Sequence, residues 1–460
     1  MLKLKFLLKS FFIILCLFLA VLIFWLLLIY FKPVEKININ RSLYGEVNIL
    51  NIDGITFRDL NKNNKLDIYE DHRLDAEKRS EDLISQMELE EKIGQMFHPP
   101  FVHKPDLLMF LYEIVIRGNK LTESQILFDN ISHFNLYGNP SPKELAEKIN
   151  DFQDVASRTR LGIPITISSD PIHEVPKGGG VASFSIDGFS KWPSQLGFAA
   201  TNDPLIVKNF GEIVKEEYLA VGIRTALHPM SDLSTEPRWA RNFGTFGSNA
   251  ILSNEMTKAY MNGFQGDEIN NRSVHTMVKH FPGGGPQEDG LDPHLFSGKN
   301  QTYPGNNFNY HLIPFEGAIE NNLKIIMPYY GIPVAQTNED VAMAYNKYIL
   351  TDLLREQLGF EGVICSDWGI ITGRHWGVGS LSIEERYEKS INAGIDQYGG
   401  ESDISHLLKL VKENKISEER INKSVKRILI NKFELGLFDN PYVDVNAIKS
   451  KVNTEENIEA

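Results

Sequence analysis

From about residue 79 onward, stretches with helical periodicity alternate with short β-rich runs that end in polar residues, and this alternation constrains the fold more than anything else in the chain. The helical stretches are 79–97, 143–157, 203–221, 248–265, 347–358, 383–393 and 402–436. Between them lie Ile163–Asp170, Gly222–Asp232, Val274–His280, Leu323–Tyr330, Val363–Asp367 and Gly394–Tyr398. Strands that alternate with helices pair in parallel, because each helix returns the chain to the same end of the sheet. At least six such units in roughly 360 residues, with no G-x-G-x-x-G after the first strand, point to an α/β fold of the (β/α)8 TIM-like barrel type. In such a barrel the polar strand ends converge on one mouth, which is where chemistry is sought.

The remainder of the 460 residues is read around that barrel. The composition is that of a globular protein, 42% hydrophobic and 23% charged, which excludes disorder as the main state. With 47 basic against 60 acidic side chains the net charge is −13, and no basic stripe lies outside the N-terminus, so a nucleic-acid partner is not expected. Residues 11–31, Phe11 to Phe31, are 21 consecutive uncharged, mostly apolar residues preceded by Lys3, Lys5 and Lys9. Such a run is long enough for a hydrocarbon core of about 30 Å, and no A-x-A-like cleavage site follows it. It predicts a cytoplasmic tip and a single transmembrane signal anchor over residues 1–36, with the rest extracytoplasmic. That remainder carries 42 basic and 59 acidic side chains, −17, and Cys365 as its one thiol, so no intrachain disulfide is expected there.

Residues 37–78 are a polar lead-in. Asp59, Asn61, Asn63, Lys65, Asp67 and Glu70 fall at positions 1, 3, 5, 7, 9 and 12 of a calcium-loop pattern, with Lys65 contributing only its backbone carbonyl. Asn64 stands where the sharp turn usually has glycine, and asparagine tolerates the left-handed region. Two readings stay open: a lone structural calcium loop, or a linker built of Asx turns. The barrel is expected over 79–442, and 443–460 as a polar tail.

Three strand ends carry chemistry: Ser168-Ser169-Asp170, the run Lys279-His280-Phe281-Pro282 followed by three glycines, and Cys365-Ser366-Asp367-Trp368. An acid beside a tryptophan suits a sugar, whose C–H face packs on the aromatic ring while its hydroxyls bond carboxylates. Together with Leu89-Glu90-Glu91-Lys92-Ile93-Gly94-Gln95-Met96, Arg158-Thr159-Arg160-Leu161-Gly162-Ile163-Pro164 and Glu236-Pro237-Arg238-Trp239-Ala240-Arg241, these motifs resemble glycoside hydrolase family 3, on its β-glucosidase side, over about 79–440. The segment Phe57 to Asp71 also resembles one that precedes the barrel in some members. The resemblance implies a retaining, exo-acting β-glycosidase, with a β-linked oligosaccharide or glucoside as substrate and no catalytic cofactor. It implies Asp367 as the nucleophile, Trp368 beneath the sugar, and Asp170 at the non-reducing end. Lys279, His280 and Arg241 would donate to the other hydroxyls, and Tyr330, in preference to Tyr329, would stand near the nucleophile.

A retaining glycosidase also needs a proton donor. In two-domain members that group is a glutamate on a second domain, and this chain ends its last helical stretch just before Phe438-Asp439-Asn440-Pro441-Tyr442. A separately encoded second domain is therefore one expectation. The other is a loop dyad, Asp292-Pro293-His294, as single-domain β-N-acetylglucosaminidase relatives use; Glu288 and Asp289 are weaker candidates on the same loop. The alternatives are thus a β-N-acetylhexosaminidase that uses the dyad and a glycan-binding barrel of poor activity.

Overall fold

The computed structural model describes residues 2–31, 43–103, 120–174 and 185–459. Strands β1 (Asn48–Ile52) and β2 (Ile55–Asp59) form an antiparallel hairpin around Asp53-Gly54, both at positive φ as a tight two-residue hairpin turn requires. The strands that follow are β3 (Phe97–His98), β4 (Pro100–His103), β5 (His133–Gly138), β6 (Thr166–Ser169), β7 (Ile223–Ala226) and β8 (His275–Phe281). Next come β9 (Asn300–Gln301), β10 (Ile325–Pro328), β11 (Ile332–Pro333), β12 (Val363–Ile364) and β13 (Tyr398–Gly399).

Seven of these make one parallel sheet in the order β4-β5-β6-β7-β8-β10-β12. The sheet closes on itself. β13 pairs in parallel with β3, which only Pro99 separates from β4, and a parallel bridge between Cys365 and Gln397 joins β13 to the end of β12. The short pair β9–β11 lies outside this ring. Closure leaves the ring without an open edge and brings all strand ends to one mouth.

The helices around it form for local reasons. In the helix Pro142–Ser157, Ser141 accepts from the Glu144 amide, the Glu144 side chain reaches back, and Pro142 occupies the first turn. Its Leu145, Ile149, Phe152 and Ala156 share one face and are buried against the sheet. Asp203 caps the helix Pro204–Val221, and Gly222, at φ 92°, ends it so that β7 can start one residue later. From the last long helix, Glu418–Glu434, the Lys432 ammonium donates to Ser132 O, Pro164 O and Thr166 Oγ1, plugging the barrel floor. Burial pushes its pKa well down.

Two expected helical stretches are each split. Residues 79–97 become Ala76–Gln86 and Leu89–Gln95, the second opened by a capping box on Glu88 and Glu91. Residues 402–436 become Ser405–Lys412 and Glu418–Glu434, the latter capped by Ser417. Residues 443–459 pack on the barrel: Asn150 exchanges hydrogen bonds with the Val443 backbone, and Asn453 and Asn457 reach buried Glu217.

The membrane-anchor expectation is corrected. A helix does run from Leu2 to Phe31. Among the described residues no helix is long and apolar enough to cross a membrane. The transmembrane segment, the single-pass topology and the extracytoplasmic placement derived from it fall together.

Candidate active site

β6 delivers Asp170 to the mouth, and β8 delivers Lys279 and His280, all three buried. Lys279 Nζ donates to Asp170 Oδ1 at 2.9 Å, and Asn135 Nδ2, from β5, lies 3.4 Å from Oδ2. His280 Nδ1 donates to Asp232 Oδ2 at 2.8 Å. Burial opposes the Asp232 charge, yet His280, Arg241 and the Gly284 amide outweigh it and hold the carboxyl below its usual range. Burial pushes His280 the other way, toward neutrality, so its Nε2 is an acceptor facing Arg241 at 3.4 Å.

The glycine loop exists to let Asp232 in. A Cβ on Gly284 would sit 2.6 Å from Asp232 Oδ1 and 2.8 Å from the Tyr329 ring, and one on Gly285 would collide with Leu233 O. A side chain at Gly284 would expel the carboxylate that orients His280, and one at Gly285 would displace the backbone that follows it.

Arg241, also buried, donates to the Tyr329 hydroxyl at 3.1 Å. Burial works against its charge, but Tyr329, Asp292, Asp367 and Asp232 raise its pKa further above the usual range. Tyr329 in turn donates to Asp292 Oδ2 at 3.2 Å, and Trp239 Nε1 donates to the same oxygen at 2.8 Å. Asp292 Oδ1 then takes both the amide of His294, at 3.0 Å, and its Nδ1, at 2.5 Å. Burial opposes ionisation of Asp292, but His294 and Arg241 prevail and hold it well below the carboxylate range. Burial lowers the pKa of His294 against the pull of Asp292. With Nδ1 committed, its Nε2 is left for chemistry.

The His294 ring meets Tyr330 edge-on at 4.8 Å, and Tyr330 Oη donates to Trp368 O at 2.9 Å. Arg374 reaches the same carbonyl at 2.9 Å and lies over the Tyr330 ring. These contacts fix the turn after β12. There Asp367, 6% exposed, accepts the Trp368 amide on Oδ1 at 2.8 Å. Its Oδ2 is buried and, among the described residues, accepts no hydrogen bond, with His280 Nε2 3.9 Å away. The half-buried Trp368 leaves its Nε1 unbonded as well. A carboxylate oxygen that is buried and unpartnered is poised to meet an electron-poor atom or a hydroxyl.

The residues expected at the mouth therefore converge: Asp170, Arg241, Lys279, His280, Tyr330, Asp367 and Trp368, with the Asp292–His294 pair beside them. Glu288 and Asp289 do not join them. Glu288 accepts from Asn300 Nδ2, and exposed Asp289 faces Arg238. Sequence reasoning missed Asp232, Trp239 and Asn135. Asp232 had one signal, since it closes the run Gly222–Asp232.

Far from the mouth, the lead-in loop also folds tightly. Asp59 accepts the amides of Asn63 and Asn64, and Asn64 takes φ 61° at the turn. Asn61 and Asn63 Nδ2 both lie 2.6 Å from Asp67 Oδ2, while Glu70 accepts the amides of Leu60, Asn61 and Asp67. Among the described residues no group of three or more His, Cys, Asp or Glu is placed to hold a metal. An oxygen-ligand site here would rest on the asparagines as well.

Fold and site together define a parallel α/β barrel whose mouth presents carboxylates, cations and aromatic faces. The chain belongs to glycosyl hydrolase family 3, whose N-terminal domain model matches residues 88–430. It is 46% identical to β-glucosidase C of Emericella nidulans over 86% of this chain and 65% of that protein. To the periplasmic β-glucosidase/β-xylosidase of Dickeya chrysanthemi it is 40% identical, over 86% of this chain and 64% of the relative. A solved β-glucosidase from Listeria innocua in complex with glucose superposes with a TM-score of 0.67 at 25% identity, covering 83% of this chain and 50% of that one. The chain thus spans less than two thirds of the length of these curated relatives.

Proposed function

We propose that this chain is a retaining, exo-acting β-glucosidase that removes terminal non-reducing β-D-glucosyl residues. The observation that carries the reading is the unpartnered Oδ2 of Asp367, buried beside a cation-rich wall and followed by a tryptophan. Asp367 Oδ2 attacks the anomeric carbon as the glycosidic C–O bond breaks, giving a glycosyl ester. Asp170, Lys279, His280 and Arg241 bond the ring hydroxyls, and the Asp170–Lys279 pair closes the far end, so only a terminal sugar fits. Trp368 supplies the apolar face beneath the ring. His294, held by Asp292, gives the leaving oxygen its proton from Nε2 and later takes one from the attacking water. The β-glucosidase names of the relatives support the substrate class.

The test is an assay of the full chain on fluorogenic β-glucoside and β-N-acetylglucosaminide, with Asp367→Ala as control. Turnover of the glucoside that the substitution abolishes is the expected result. Preference for the N-acetyl substrate, or turnover unaffected by the substitution, overturns it.

The lead-in loop is proposed to hold a structural calcium ion through Asp59, Asn61, Asn63, Asp67 and Glu70, with Lys65 supplying its carbonyl. Support comes from the left-handed Asn64 and from side chains already converging on Asp67. Rotation of the two asparagine amides would turn oxygen atoms to the ion.

A further inference from the structure

We infer that the segment Asn453–Asn457 positions the sugar-end wall of the pocket, acting through Glu217 and His173. The inference rests on the reading of Asp170 as the ligand for the non-reducing end. Glu217 sits on the helix Pro204–Val221, fully buried, outside the constellation at the mouth. Among the described residues, its two oxygens take five donors from three separate stretches of chain. Oε2 accepts His173 Nε2 at 2.6 Å and Ser190 Oγ and N at 3.0 and 3.3 Å. Oε1 accepts the Asn453 amide at 2.7 Å and Asn457 Nδ2 at 2.9 Å.

His173 lies three residues after Asp170 on the loop leaving β6. The same loop is held at two further points next to Glu217. Tyr218, the following residue on the helix, reaches Asp170 O with its hydroxyl at 3.4 Å, and its ring lies 5.3 Å from that of His173. Trp192 N donates to His173 O at 2.8 Å, and Trp192 Nε1 donates to the Ser190 hydroxyl that Glu217 also holds. The wall that presents Asp170 to the sugar is therefore held by Glu217 through His173, together with Tyr218 and Trp192.

A buried carboxylate stays put only while donors satisfy its oxygens, because an unsatisfied one draws in water or swings toward other partners. Among the described residues, Asn453 and Asn457 supply the donors to Oε1. Removing one frees Glu217 to rotate, which loosens His173 and with it the backbone that aims Asp170. Since Asp170 bonds hydroxyls remote from the breaking bond, the effect falls on binding more than on chemistry.

The experiment compares Asn457→Leu, which removes the amide at similar volume, with Asn457→Gln, which keeps it. For a fluorogenic β-glucoside, the Leu variant is expected to raise KM about 5- to 10-fold with kcat nearly constant, and the Gln variant to restore KM to within about twofold. Amide hydrogen exchange over residues 170–174 is measured alongside and is expected to speed up in the Leu variant only. Unchanged exchange there overturns the coupling whatever the activity, and so does a kcat that falls in step with KM and with the folded fraction. If the unaltered chain turns over no glucoside, the exchange result still decides the coupling, so the two readings fail separately.

Discussion

Two buried aspartates at the ends of neighbouring strands are satisfied very differently. Asp396, before β13, is saturated. Its Oδ2 accepts Arg355 at 2.7 Å and the Ile364 amide at 3.0 Å, and its Oδ1 accepts Ser424 at 2.6 Å and Arg427 at 3.0 Å, with Arg420 at 3.5 Å. Burial opposes its charge, and the three arginines still hold its pKa below the usual value. Asp367, after β12, has one amide on one oxygen and, among the described residues, no hydrogen-bond donor on the other, with His280 Nε2 3.9 Å away. Full satisfaction locks a carboxylate into the fold, whereas an oxygen left open inside a polar pocket is a place for a ligand atom.

The comparison can be broken most directly at Asp367. Asp367→Ala is expected to lower glucoside turnover on the order of 10⁴-fold with little change in thermal stability, because the Trp368 amide alone loses a hydrogen-bond acceptor while a buried charge is removed. Asp396→Ala should do the opposite. It strands three guanidinium groups, so a loss of about 3–5 kcal/mol in denaturant melts is expected, with activity per folded molecule retained. An Asp367→Ala variant that unfolds, or an Asp396→Ala variant that is stable, would erase the distinction.

His294 sharpens the contrast, since it is half saturated. His294→Ala is expected to slow hydrolysis about 10²-fold for glucosides with poor leaving groups and much less for good ones. As a proton donor it must be charged, and burial places its pKa below the ordinary value of about 6.5. The rate should therefore fall as pH rises through a midpoint under that value, and this limb should vanish in the variant. The smallest effect is expected at the lead-in loop: added calcium should raise Tm by about 1–3 °C and EDTA should reverse it. A melting curve indifferent to both leaves only the Asx-turn reading.

Much of the barrel was legible because a strand buried on both faces and a helix buried on one leave different periods in the chain. β3, β4 and β5 were not, since their run includes inward polar residues such as His98, His133 and Asn135, which hide a strand pattern. The helix Phe308–Glu320 was missed for a similar reason, its period being interrupted by Pro314. At the site, Asp170, Lys279, His280, Asp367 and Trp368 could be found because each closes a β-rich run. Asp232 closes such a run too, but it, Trp239 and Glu217 act through partners far along the chain, and no local pattern names such a partner.

The sequence by itself determined the alternation of strands and helices, the strand-end residues and the family, because periodicity and short motifs are local properties. Only the tertiary structure decided which charged groups are saturated and which are open. It set Asp367 Oδ2 apart from Asp396 and tied residues 453–457 to the pocket wall through Glu217. Hydrogen-bond satisfaction inside a protein depends on donors brought from several strands at once, and closure of the barrel is what brings them.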